Sequence, residues 1–70
     1  MKQSFLDSLV GMNVKAAETA CHKQGLKTRT MPYGTASIML AFGNTVNIWV
    51  AKDGQTVQSA NAGDPFDIED

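Results

Sequence analysis

The chain has 70 residues, about half of a typical domain of roughly 100–150, so it holds one small domain and not two. Hydrophobic residues make up 43% and charged residues 19%, a globular balance, and the longest apolar run, Ile38-Met39-Leu40-Ala41-Phe42, is far short of the roughly 20 residues that span a bilayer. The net charge of −1 is segregated: six bases and three acids up to Gly63 leave +3, and residues 64–70 carry four acids and no base, hence −4.

Residues 1–63 therefore read as a single domain and 64–70 as an acidic tail, either solvated or docking through Phe66 and Ile68. Bases scattered along the body, without an aromatic-rich motif, do not form a nucleic-acid footprint, so neither nucleic acid nor membrane is expected as a partner. The opening Met1-Lys2-Gln3-Ser4 leads through Phe5-Leu6 to Asp7 and shows no signal-peptide pattern. Cys21 is the one cysteine and makes no internal bridge, which makes cytoplasmic residence the default expectation.

Ser4 to Val10 carries helical spacing over one or two turns, with Ser4 as N-cap and Gly11 as stop, and Phe5, Leu6, Leu9 and Val10 as core contributors. Asn13 to Gly25 reads as a helix of about three turns. Asn13 caps its start, and Val14, Ala17 and Cys21 line one narrow apolar face with Ala16 and Ala20 beside it. Gly25 supplies a left-handed stop. Small alanines on the buried face let such a helix sit close against a sheet.

At Leu26 the period changes to two, with Leu26, Thr28 and Thr30 on one side and Lys27, Arg29 and Met31 on the other, until Pro32-Tyr33-Gly34 breaks the strand. Val46-Asn47-Ile48-Trp49-Val50 is the best strand in the chain: Val46, Ile48 and Val50 share one face, Asn47 and Trp49 the other. Asp53-Gly54 signals a turn, giving a hairpin of roughly 45–52 with 55–60. The stretch 35–42 is compatible with two readings. It is either a strand turning at Gly43-Asn44 into an antiparallel meander, or an extended exposed loop framed by Gly34 and Gly43.

Several of these motifs, in order, resemble the potato inhibitor I family of serine-protease inhibitors, including its short bacterial relatives. Leu9-Val10-Gly11 matches the family's segment before the helix, Asn13 its polar cap and Ala17 its packed helical alanine. Pro32-Tyr33-Gly34-Thr35 stands where the family leads into its protease-binding loop, Val46 to Val50 match the strand after it without a gap, and Asp53-Gly54 and Gly63 match its hairpin turn and terminal glycine.

The resemblance implies an α+β fold, a single helix packed on a small three- to four-stranded sheet, in which strand 26–31 pairs in parallel with 45–51 through a long connection. It also implies a binding loop made of Ala36, Ser37, Ile38, Met39, Leu40, Ala41 and Phe42. Met39 would enter the specificity pocket of a subtilisin- or chymotrypsin-like serine protease, and Leu40 would follow the scissile bond. In the family, a threonine before that bond and an acid after it are held by arginines from the following strand. The corresponding places here hold Ile38, Leu40, Thr45 and Asn47. Charge-assisted bonds worth about 1.5–3 kcal/mol each are thus missing, and an unbraced loop binds more like a substrate because ordering it costs entropy. Inhibition then rests on packing of Ile38, Leu40 or Phe42.

Nothing else in the chain suggests chemistry. His22 has no carboxylate or thiol cluster beside it, Cys21 lies on the apolar stripe, and there is no metal-ligand spacing, phosphate loop or paired-carboxylate motif. No enzyme, cofactor or metal is expected. The alternative function is a non-inhibitory module on the same fold, acting as an oligomer or sequestering a small ligand. A chain this short with neither disulfide nor metal rarely draws more than about 3–5 kcal/mol from its core, so a homo-oligomer through 38–42 or Trp49 is also expected.

Overall fold

The computed structural model describes residues 1–35 and 43–63. Helix α1 spans Gln3–Leu9, helix α2 Val14–Lys23, and three strands follow, β1 Lys27–Met31, β2 Thr45–Val50 and β3 Val57–Ala62. The sheet has the order β1-β2-β3. β1 runs parallel to β2 with Lys27 beside Thr45 and Met31 beside Trp49, while β3 runs antiparallel to β2. The fold is a small α+β arrangement of two helices on a mixed three-stranded sheet. Both edges of β2 are occupied, so a meander strand over 35–42 finds no partner edge there; Thr35 lies in the turn after β1, and 36–42 lie outside the described residues.

Local chemistry sets the helix limits. The Asn13 side chain accepts from the Lys15 N–H at 3.0 Å, so α2 starts where a cap satisfies an otherwise orphaned amide. It ends in a double backbone closure: the Gly25 N–H donates to the His22 carbonyl and the Leu26 N–H to the Cys21 carbonyl, both at 3.0 Å. This closure needs a left-handed residue after the cap, and Gly25 has φ +75°. α1 differs from expectation. It begins one residue before Ser4, with Lys2 as cap and no side-chain bond, and it leaves Val10 49% exposed because the chain is already extended there.

Leu6 and Leu9 of α1, Ala17 and Cys21 of α2, Val46 and Ile48 of β2 and Val57, Ala60 and Ala62 of β3 form one buried cluster between the helices and the sheet. A leucine fully removed from water in such a cluster contributes roughly 1.5–3 kcal/mol of transfer free energy. α1 packs on β3, and α2 on β1 and β2. On that side of β1 the Thr30 hydroxyl donates to Glu18 Oε2 at 3.0 Å, and Thr28 Oγ1 and His22 Nε2 share a 3.3 Å hydrogen bond.

The hairpin is longer in its turn than the sequence suggests. Asp53 Oδ1 accepts from the amides of Gln55 and Thr56, both at 2.9 Å, and the Gln55 carbonyl accepts from the Val14 N–H at 2.7 Å. Those groups are therefore spent on the turn and on the helix start, and strand pairing resumes only at Val57. Val57 in turn donates to the Met12 carbonyl and accepts from the Gly11 N–H, so the outer edge of β3 is covered at its start.

Candidate functional site

With Val46 and Ile48 turned to the helices, the alternation of β2 sends Thr45, Asn47 and Trp49 to the opposite, outer face of the sheet, joined there by Lys27, Arg29 and Met31 from β1. The helices pack on the other face, through Leu6, Leu9, Ala17 and Cys21. Even so, Asn47 is 0% exposed, Met31 5% and Thr45 6%. The Thr45 hydroxyl donates to the Gly43 carbonyl at 3.0 Å, and no buried side-chain nitrogen or oxygen among the described residues lacks a partner. A central strand with a buried, partnered carboxamide on the face turned away from the helices is unusual, because burying an amide without a partner costs several kcal/mol.

The expected loop residues Ala36, Ser37, Ile38, Met39, Leu40, Ala41 and Phe42 lie outside the described residues. Their flanks are described. After β1 the chain turns at Pro32–Thr35, closed by the Thr35 N–H donating to the Pro32 carbonyl at 3.1 Å, with Gly34 at φ +82°. Such a φ is strained for any side chain bearing Cβ, so the glycine is what lets Tyr33 and Thr35 fold back toward the outer face. The chain re-enters the sheet through Gly43 and Asn44, whose carbonyl accepts from the Lys27 N–H at 2.8 Å.

Trp49 is half-buried on this face and pairs across the strands with Ser59, as Asn47 does with Asn61. Between Trp49 and Val50 the register slips, so Val50 pairs with Val57 and Gln58 becomes an extra residue. A bulge of this kind turns two successive side chains to one side. As a result Gln58 and Ser59, together with Asn61, Trp49 and the Tyr33–Thr35 turn, line an open recess of about 380 Å³. The sequence singled out Trp49 alone from this set; the available signal for the others was the polar alternation of Ser59 and Asn61 with the buried Ala60 and Ala62.

Two further groups are shifted by their surroundings. Cys21 is fully buried, and burial pushes its thiol up from the usual range, with the Glu18 carboxylate adding to the effect. This is the inert kind of cysteine, since the thiolate is the nucleophile. The Thr56 hydroxyl, and then the Gln55 and Thr56 amides, hold the Asp53 carboxyl below the ordinary carboxylate range. Among the described residues, no group of three or more His, Cys, Asp or Glu side chains is placed to hold a metal ion, and no helix is long and apolar enough to cross a membrane. Comparisons of the chain with protein-family models, with curated proteins and with solved structures find no match.

Proposed function

We propose that this chain is a protein-binding domain of the potato inhibitor I type. On this reading it offers residues 36–42 to a subtilisin- or chymotrypsin-like serine protease, with Met39 in the specificity pocket and Leu40 beyond the scissile bond. One observation carries the reading: β1 and β2 are parallel neighbours joined by the connection 32–44, with Lys27 in register with Thr45. Parallel neighbours need a crossover of about a dozen residues or more, and the connection 32–44 has that length. Fold alone does not fix function, so the weight falls on the outer face. There Thr45 and Asn47 occupy the places of the family's bracing arginines, and both are buried.

Neutral hydrogen bonds contribute about 0.5–1.5 kcal/mol each, against roughly 1.5–3 for the charged ones they replace. The proposed inhibitor is therefore weaker than a charge-braced one and is hydrolysed faster than it, though more slowly than an unstructured peptide, and is not a permanent block. Titration against subtilisin and chymotrypsin tests it: competitive inhibition with slow hydrolysis between Met39 and Leu40 supports the proposal. Met39→Asp abolishes that inhibition and leaves the circular dichroism spectrum unchanged. Indifference of both enzymes, with sedimentation that shifts with concentration, favours the non-inhibitory oligomeric module instead.

A further inference from the structure

We infer that the recess between Tyr33 and Trp49 binds a neutral carbohydrate one or two pyranose rings long. This site does not depend on the protease reading, because none of its residues lies within 36–42. The floor is rigid: Trp49, Ser59 and Asn61 stand on two hydrogen-bonded strands in fixed register, and the bulge brings Gln58 to the same side. The wall is the Tyr33-Gly34-Thr35 turn, with Tyr33 57% exposed.

The lining chemistry narrows the ligand. Among the described residues lining the recess there is no lysine, arginine, histidine or carboxylate, so these residues offer no counter-charge to an anion or a cation. What it offers is two aromatic rings, two carboxamides and two aliphatic hydroxyls. Elsewhere on the surface the hydroxyls of Ser8, Thr19, Thr30 and Thr56 are engaged in hydrogen bonds within the chain. A pyranose has a C–H face that lies against an aromatic ring and a rim of hydroxyls that both donate and accept. Carboxamides also do both, and so match that rim. A proline-rich peptide also docks on aromatic grooves, but its prolines present carbonyl acceptors alone and would leave half of the amide capacity unused. The volume of about 380 Å³ is near the lower end of small-molecule sites, which span roughly 300–1,000 Å³, and is enough to seat one or two rings.

Trp49 is the sole tryptophan and lines the recess, so its emission reports on binding there. The full chain is titrated with N,N′-diacetylchitobiose, cellobiose, maltose and a polyproline peptide, following Trp49 fluorescence and backbone amide shifts. The expected result is a saturable emission change with at least one disaccharide at millimolar concentration, with shifts confined to 33–35, 49 and 58–61. Tyr33→Ala and Asn61→Ala, both at exposed positions, each weaken it by about tenfold. The inference is overturned if no disaccharide gives saturation, if only the polyproline peptide does, or if both variants bind as tightly as the parent. None of these outcomes bears on protease inhibition, which is read from a different assay and a different segment.

Discussion

Trp49 and Ser59 form the last regular cross-strand pair before the ladder between β2 and β3 slips. The pair combines a large ring with a small hydroxyl on the outer face, which leaves part of the indole uncovered. Aromatic–β-branched cross-strand pairs contribute roughly 0.2–1 kcal/mol beyond small-residue pairs. Ser59→Val is therefore expected to raise stability by about that amount, seen as a higher urea midpoint with an unchanged slope. A loss of stability would mean that the indole edge is already covered in solution.

The positions that could be read from the sequence are those where one local interaction decides the structure. Asn13 caps α2, Gly25 ends it, and Val46 and Ile48 face the core, because each choice follows from a side chain and its near neighbours. The α+β class follows the same elements. The parallel pairing of β1 with β2, by contrast, is implied only by the family resemblance, since the local pattern of 35–42 is equally compatible with an antiparallel meander. What was not legible depends on distant segments. The start of β3 is delayed to Val57 because the Gln55 carbonyl is taken by Val14, from a helix far away in sequence. The extra residue at Gln58 exists only relative to the partner strand, so no property of 55–60 alone reveals it. For the same reason Ser59 and Asn61 look like ordinary solvent-facing positions until Trp49 and the Tyr33 turn are placed beside them.

Asn44 links the two parallel strands, since its carbonyl accepts from the Lys27 N–H while its own backbone sits at φ +49°. Left-handed backbone costs most side chains about 1–2 kcal/mol, and asparagine is among the few that tolerate it. Asn44→Val is expected to destabilise the domain by about 1–2 kcal/mol in urea titrations. Asn44→Gly, which keeps the conformation accessible, is expected to fall within a few tenths of the parent. Equal effects of the two would show that the conformation is not maintained in solution.

Cys21 is expected to give the domain an alkaline limit. Its thiol is held above the ordinary range in the folded state, so the folded chain holds that proton more tightly than the unfolded chain. The resulting stability is fully present below the ordinary thiol value of about 8.5 and is lost as the pH rises from there through the raised native value. Urea midpoints should therefore fall as pH rises beyond that point. The fall should be smaller in Cys21→Ala, which itself costs about 1 kcal/mol at neutral pH. In native buffer a thiol reagent should modify Cys21 no faster than the domain unfolds, since the side chain is fully buried.

Asn47 provides the sharpest test of the outer face, because its stability role and its proposed binding role can be separated. Its side chain is fully buried and its polar atoms are partnered, so Asn47→Leu keeps much of the volume but leaves a partner group unsatisfied. That costs about 1–3 kcal/mol. If Asn47 serves stability alone, subtilisin will cleave the variant faster only in proportion to its larger unfolded fraction, and urea will raise parent and variant cleavage along one common curve. If Asn47 also braces 36–42, cleavage between Met39 and Leu40 will accelerate at matched stability, while cuts elsewhere in the chain stay on the common curve. Mapping the cut sites by mass spectrometry at equal fractions folded distinguishes the two outcomes, and the second is the one expected here.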